Sequence, residues 1–351
     1  MPTLSVHRIG MAHPGDLSAL AALFDSSALA PREVRAVIGK TEGNGGLNDF
    51  TRGYFTQSLM ALLAARTGEA AESLAARIPC VLSGGTEGAL SPHAMVFAVG
   101  PGGGARGLAI GTAFSAPTAA DEIGTDAQIA AVAATLRAAM RDAGIASAAD
   151  VGLVQVKAPA TTRPGADPRV AMARSRAAAA IGVALALGEV APAAARAEAL
   201  LSDFSLWSPR ASVSSGIEVT CNEVVVLGHA EGWADGIALG VAPMADLLDL
   251  PGIVAAFRAA GLAADPCVPE QERHRILGVI AKGEPSRDGL IRGHRHTMLG
   301  DTDLDPQRHL RGALGALVAA VAGDGRVFVS GGAEHQGPPG GGLVAVLAAK
   351  R

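Results

Sequence analysis

A short serine-glycine turn occurs three times along the chain, each time after a stretch that favours a β-strand. The copies read VLSGGTEG from Val81, VSSGIEV from Val213 and VSGGAEH from Val329. A single turn of this composition is an ordinary strand end. Three related copies in one chain indicate a repeated unit, and a repeat restricts the possible architecture more than any other sequence feature.

The residues between the turns repeat in the same order, although their identity is weak. Each pass begins with an apolar extended segment and a helical pattern, and continues with a β-rich run that ends in lysine. A helix of small residues that begins at an arginine follows, and then come the serine turn and a closing strand. The lysines are Lys40, Lys157 and Lys282, and the arginines are Arg52, Arg176 and Arg311.

We therefore predict an α+β fold of three structurally similar domains around a pseudo-threefold axis, each a β-sheet with packed helices. The predicted domains cover residues 1–104, 105–235 and 236–351, and a glycine-rich segment at the end of the first serves as a linker. The second boundary is less sharply defined. In the middle unit, apolar residues recur at helical spacing up to Gly144, which is placed as a C-terminal stop.

The repeated lysines and serines are residue types that carry nucleophilic chemistry when they converge. One strand-end lysine usually reaches solvent, but three at the same place in three units converge if the units surround a common axis. Clustered cations disfavour each other's charge and lower the pKa of a lysine, and a neutral amine can act as general base for a serine. The glycines of the turns present backbone N–H groups that can bind an anion or a carbonyl oxygen.

The middle turn breaks the symmetry, because it has a second serine where the other copies have glycine. Binding alone gains nothing from that change, so the middle unit is the candidate for the reacting unit and the outer two for binding. The expected ligand is a small ring with carbonyl groups at three symmetric positions, one of which a serine attacks. The aligned residues are Glu87, Glu218 and Glu334; Ser83, Ser214 and Ser330; and Gly84, Ser215 and Gly331.

The composition argues against several classes of function. Aromatic residues make up only 3% of the chain and the net charge is −4 without a basic block, which disfavours binding to nucleic acid or an anionic membrane. The longest apolar run, residues 177–188, is too short to span a bilayer. Three widely spaced cysteines form no CxxC pair and no signal peptide is visible, so we expect a cytoplasmic protein.

These residues together resemble the cyanuric acid hydrolase/barbiturase family of cyclic amide hydrolases. The resemblance covers the whole chain, and its most specific pieces are VLSGGTEG, SVSSGIE and VSGGAEHQGPPGGG. It implies one active site at the centre of the three domains, and hydrolytic ring opening of cyanuric acid to carboxybiuret, which decarboxylates to biuret and CO2. It also implies that Ser214 is the nucleophile and Lys157 its base, with Ser215 as the reserve nucleophile.

The resemblance further implies the residues that contact the substrate. Arg176 is preferred over Arg174 because it precedes the small-residue helix. Ala177 follows it, whereas Gly53 and Gly312 follow the other two arginines. The expected set comprises Arg52, Arg176, Arg311, Lys40, Lys282, Ser83, Gly84, Ser214, Ser215, Ser330 and Gly331.

A structural cation beside the third serine turn is another implication of the resemblance. The segment GAEHQGPPGGG suits such a cage because hard cations bind carboxylate and carbonyl oxygens, while a rigid loop without metal is the alternative. Magnesium or calcium is expected, no organic cofactor is expected, and the family resemblance implies a homotetramer. The expected ligands are Glu284, Ala333, Gln336, Gly337, Pro338 and Gly341.

Two other functions remain open at the level of sequence. A barbiturase would hydrolyse barbituric acid, which has the same three carbonyl positions but a CH2 in place of one N–H, to ureidomalonate. A non-catalytic protein of this build would bind a small cyclic imide without turnover, and the second serine of the middle turn argues against it.

Overall fold

The structure is a computed structural model that describes residues 1–46, 48–161, 166–298 and 306–351. These residues form three four-stranded sheets with helices packed against them, together with a two-stranded hairpin. The predicted α+β class and the three similar units are confirmed, while the boundaries proposed between the units stay predictions.

The elements follow the predicted order in each unit. The first contains β1 (Pro2–Gly10), α1 (Ser18–Asp25), β2 (Val34–Lys40), α2 (Thr51–Thr67), α3 (Ala71–Ala75), β3 (Cys80–Ser83) and β4 (His93–Pro101). The second contains β5 (Arg106–Pro117), α4 (Asp126–Ala143), β6 (Val151–Pro159), α5 (Pro168–Ala186), β7 (Ala211–Gly216) and β8 (Cys221–Glu231). The third contains β9 (Ile237–Met244), α6 (Leu250–Ala259), β10 (Ile276–Gly283), β11 (Leu290–Ile291), β12 (His294–Arg295), α7 (Pro306–Ala322), β13 (Phe328–Gly331) and β14 (Gly342–Ala349).

All three large sheets have the same topology. From one edge of the sheet to the other, the order is the opening strand, the closing strand, the lysine strand and the serine strand. The lysine and serine strands pair in parallel, whereas the other pairs are antiparallel. The orders are β1-β4-β2-β3, β5-β8-β6-β7 and β9-β14-β10-β13.

Helix boundaries confirm part of the sequence prediction and correct another part. Gly144 ends α4 with a left-handed φ of 72°, as its position predicted. Arg52 lies in the first turn of α2, but Arg176 and Arg311 do not begin their helices. Each of those helices begins earlier at a proline, a residue that suits the first turn because it needs no intrahelical N–H bond there.

A shared hydrophobic core joins the inner faces of the three sheets. It contains Ile38 and Phe97 from the first unit, Leu227 from the second, and Ile280 and Phe328 from the third, all buried. Separate clusters lie between the outer faces and the helices in the first and third units. Because every sheet contributes to the shared core, the ends of the lysine and serine strands meet at one place. Within the described part of the chain, no helix is long and apolar enough to cross a membrane.

Candidate active site

Each sheet brings one lysine and one serine side by side. They lie at or within two residues of the end of a parallel strand pair and occupy the same register position, so both side chains project from the same face. The repeated Lys-then-Ser order along the chain thus becomes a repeated pair in space. The register partners are Lys40 and Ser83, Lys157 and Ser214, and Lys282 and Ser330.

Ion pairs between the units connect the three repeats in a cycle. The arginine of the first unit binds the glutamate of the second, with 2.5 Å between Arg52 Nε and Glu218 Oε1. Arg176 binds Glu334 through two hydrogen bonds of 2.7 and 2.8 Å, and the arginine of the third unit returns to the first, with 2.6 Å between Arg311 Nε and a Glu87 oxygen. This cyclic pattern is what a pseudo-threefold axis predicts, and it fixes each arginine at a unit boundary.

The lysines differ in their partners. Lys40 Nζ lies 2.6 Å from Glu87 Oε2, and Lys157 Nζ lies 2.5 Å from Glu218 Oε1. Lys157 also donates to the backbone oxygen of Leu82 in the first unit, at 3.2 Å. Lys282 departs from this pattern, because it donates to Ser330 Oγ at 2.9 Å and to a backbone oxygen of the third serine turn.

The serine hydroxyls converge from neighbouring units. Ser214 Oγ and Ser330 Oγ lie 3.0 Å apart, and Ser83 Oγ donates to the backbone oxygen of Val329 at 2.7 Å. Ser215 Oγ instead donates to the Met172 backbone and accepts from Arg176. Ser214 therefore contacts the serine of the third unit, whereas Ser215 faces α5.

A cavity of about 580 Å³ opens at this convergence. Ser83, Gly84, Ser215 and Gly331 of the predicted set border it, while Lys40 and Lys282 are absent from its described lining. Arg174 is not part of the described lining either and donates to the Gly124 backbone. The residues that line it from all three units include Arg52, Lys157, Arg176, Ser214, Arg311 and Ser330.

Burial governs the protonation of the site. It lowers the pKa of all three lysines: that of Lys40 to about 8, that of Lys157 despite the opposing charge of Glu218, and that of Lys282 well below its ordinary value. Burial alone would raise the pKa of Glu218 and Glu334, but the adjacent cations outweigh it and hold both at about 2. The site thus combines lysines that lose their protons readily with carboxylates that keep their charge.

The glutamates are site residues that the sequence prediction missed. Each follows its serine by four residues, but the sequence pattern alone assigns them no role. That constant spacing was the available signal. Asp49 was missed as well: it is buried, and its Oδ2 lies 3.3 Å from Arg52 Nη1.

The predicted cation segment has a donor set that fits a hard cation in part. Glu284 and Glu334 are buried, and burial together with the charge of Glu334 raises the pKa of Glu284. Two close carboxyls of this kind suit a bound cation. The Gln336 side chain does not suit it, because its amide oxygen accepts from Val213 N and its nitrogen donates to backbone oxygens. The described residues contain no group of three or more His, Cys, Asp or Glu arranged to hold a metal.

The backbone of the same segment is already partly engaged. Ala333 O, Pro338 O and Gly341 O each accept one backbone hydrogen bond, and a carbonyl oxygen retains a second lone pair. Gly337 has a left-handed φ of 145°. These carbonyls, with Glu284, are the groups that would hold the cation.

This geometry defines a hydrolase-type site in which serine and lysine pairs from three units surround one cavity. A family model described as amidohydrolase ring-opening protein matches residues 5–349. The chain belongs to that family, whose members are hydrolases of cyclic amides.

Similar proteins cover the chain from end to end. A cyanuric acid amidohydrolase of Azorhizobium caulinodans is 44% identical over 366 residues, which cover 100% of this chain and 99% of the relative. A cyclic amide hydrolase of the same organism is 43% identical over 361 residues and covers 98% and 99%. A solved cyanuric acid hydrolase, described as an evolutionary innovation by structural concatenation, matches with a TM-score of 0.94 at 41% identity and covers 100% of both chains.

Proposed function

We propose that the protein opens the ring of cyanuric acid by hydrolysis, with Ser214 as nucleophile and Lys157 as its base. The observation that carries the proposal is the set of three Lys–Ser register pairs around one cavity. Cyanuric acid presents a carbonyl group at three symmetric positions, so each unit can bind one. Relatives named for this substrate at 40–46% identity support the choice.

The hydrogen bonds of Lys157 suit the role of base. A neutral amine has two N–H bonds and one lone pair, and its Nζ already has two acceptors in Leu82 O and Glu218. The lone pair is then left for the hydroxyl of the register partner, Ser214. Burial favours this neutral form because it lowers the pKa of the ammonium.

The reaction then proceeds by acyl transfer. Lys157 takes the hydroxyl proton while Ser214 Oγ forms a bond to a ring carbonyl carbon. The backbone N–H groups of the serine turns bind the oxyanion that results. The ring C–N bond breaks and its nitrogen receives the proton from Lys157. Water then hydrolyses the acyl-enzyme to carboxybiuret, which loses CO2 to give biuret.

The outer units hold the ring without reacting with it. Arg52, Arg176 and Arg311 are fixed by their glutamates and border the cavity, so their positive charges are in place for the carbonyl oxygens of the ring before substrate arrives. Ser83 and Ser330 would each donate to one of the remaining carbonyls. Lys282 acts through Ser330, to which it donates, and Lys40 acts through Glu87, which also fixes Arg311.

The test measures the loss of ultraviolet absorbance with cyanuric and barbituric acid side by side. We expect turnover of cyanuric acid, and a loss of about 10³-fold or more in kcat for Ser214→Ala and for Lys157→Ala. Ser83→Ala is the matched control, and should raise KM more than it lowers kcat. Preference for barbituric acid would identify a barbiturase, and binding without turnover of either ring would contradict the enzyme proposal. Full activity in Ser214→Ala would transfer the role to Ser215.

We further propose a structural cation held by Glu284 and the carbonyls of Ala333, Gln336, Gly337, Pro338 and Gly341. Its chemistry would be electrostatic: it would offset the charge of Glu284 beside Glu334, which Arg176 already pairs, and so rigidify the third serine turn. Removal of metal by a chelator should lower the melting temperature, and Mg²⁺ or Ca²⁺ should restore it. No change on chelation and re-addition would favour the loop without metal.

A homotetramer and a cytoplasmic location complete the proposal. The family resemblance supports the tetramer, and analytical ultracentrifugation measures it directly. Three free cysteines, of which Cys80 is buried and Cys267 exposed, suit a reducing compartment.

A further inference from the structure

The two side chains directly below each Lys–Ser pair, here called the floor of the pair, are polar in one unit and apolar in the other two. Two residues before the lysine and two before the serine, the side chains of each sheet point to the same inner face. In the second unit these positions hold Gln155 and Ser212, which are register partners on β6 and β7. The equivalent pairs are apolar in the other units: Ile38 with Val81, and Ile280 with Phe328.

The polar pair lies within the shared core and not at its edge. Gln155 is 1% exposed and Ser212 is 0% exposed. Both amide atoms of Gln155 and the hydroxyl of Ser212 have no hydrogen-bond partner among the described residues. A buried amide and hydroxyl without partners cost free energy that an apolar pair, as in the other units, would avoid. An apolar pair satisfies the packing at this position in two of the units. The polar pair of the second unit therefore indicates a role beyond packing.

We propose that Gln155 and Ser212 bind an internal water molecule, and that this hydrated floor stabilises the positive charge that forms on Lys157 when Ser214 gives up its proton. Serine is smaller than the valine or phenylalanine of the other units, which leaves room for a molecule of about 30 Å³. The amide and the hydroxyl together supply the two to four polar contacts that a buried water requires. The catalytic part of this inference rests on the proposed function.

The floor is directly beneath the reacting pair. Gln155 precedes Lys157 and Ser212 precedes Ser214 by two residues on the same face, about 7 Å along the strands. The other charged groups that act on Lys157 are Glu218, Arg52, Glu223 and Lys282. Glu223 is the register partner of Lys157, where the other two units have His93 and Leu343. Its effect on Lys157 is that of a charge, whereas the polar pair is neutral. A bound water adds an orientable dipole that can face an amine before proton transfer and an ammonium after it.

The experiment replaces the polar pair with shapes that keep the volume. Gln155→Met/Ser212→Ala removes the polar atoms with little change in size, and Ile280→Val is the control that disturbs the same core layer without a polar change. We expect the double variant to melt at or above the temperature of the unmodified protein. Its KM should be unchanged, its kcat should fall roughly tenfold, and the acid limb of its kcat–pH profile should move about one unit lower, because the ammonium is less stabilised. Ile280→Val should leave the position of the limb unchanged.

A high-resolution crystal structure supplies an independent measurement. Electron density for a water within hydrogen-bond distance of both side chains is expected in the unmodified protein and not in the double variant. Density that shows the two side chains bonded only to protein atoms would overturn the hydration site. An unmoved acid limb in a folded double variant would overturn its catalytic role. If the unmodified protein opens neither ring, the proposed function and the catalytic role both fail, while the crystal structure still decides the hydration site.

Discussion

Glu218 links two functional groups that come from different units. Its carboxylate binds Lys157 of its own unit and Arg52 of the first. Glu87 has the same two kinds of partner, Lys40 and Arg311, at a pair that is not expected to react. The pseudosymmetry of the molecule thus provides a control for each substitution at the reacting pair.

The predicted effect of Glu218→Gln is a change in the pH dependence of catalysis. Loss of the carboxylate lowers the pKa of Lys157 further, so the acid limb of kcat should move to lower pH, while the released Arg52 raises KM. Glu87→Gln should also raise KM by roughly tenfold, but without moving the limb of kcat, since Lys40 is not the base. Steady-state kinetics between pH 5 and 9 compares the two. Equal shifts of the limb in both variants would contradict the assignment of Lys157.

Two strands pack unusually close to helices at glycine. A Cβ at Gly111 of β5 would lie 2.0 Å from Ala139 O of α4, and one at Gly240 of β9 would lie 2.1 Å from Ala256 O of α6. Gly111 and Gly240 occupy the same register position in their sheets, where the first unit has His7. In the first unit the corresponding helix is the short α1. The close packing of the opening strand against its helix is therefore a feature of the second and third units.

Gly111→Ala should destabilise the protein by about 1–3 kcal/mol, because the helix must move away from the added methyl group. Gly312→Ala is the control: a Cβ there meets nothing within 4 Å, and Ala177 already occupies the equivalent place in the second unit. That change should stabilise by about 0.5–1 kcal/mol, because alanine favours a helix interior. Urea unfolding measures both free energies. A Gly111→Ala protein as stable as the parent would show that the helix yields without cost.

The sequence predicts the ends of the lysine and serine strands, but it does not predict where helices α5 and α7 begin. Lys157 and Ser214 could be brought together because strand ends follow from apolar runs and glycine turns. The beginning of α5 could not, because its first turn at Pro168 and Arg169 borders the cavity and so lacks the apolar period that indicates a helix. The same holds for α7, whose first turn includes Arg308 at the cavity.

Charge pairing between the units decides how the whole molecule responds to pH. The pairing of Arg52 with Glu218 depends on how two distant units pack, so no local spacing of the sequence could predict it. Because Lys157 and Arg52 hold the pKa of Glu218 at about 2, against an ordinary value of 4.5, its contribution is complete above pH 4.5 and is lost as the pH falls toward 2. The unfolding free energy should fall in that window by up to about 3 kcal/mol from this group. Glu218→Gln should be less stable at pH 6 and show a shallower fall, as measured by urea unfolding.

Glu223 should act in the opposite direction, at the contact between the first and second units. Its carboxylate accepts from Cys80 N at 3.1 Å and lies opposite Lys157 in register, and burial raises its pKa to about 7. Below pH 4.5 this carboxyl is protonated in both the folded and the unfolded chain, so it does not change the stability. Between pH 4.5 and about 7 it ionises only in the unfolded chain, so the unfolding free energy falls as the pH rises. Glu223→Gln keeps an oxygen for the Cys80 amide and removes the titration. It should therefore raise the melting temperature at pH 8 and leave it unchanged at pH 4, and a gain of equal size at both values would contradict a titrating Glu223.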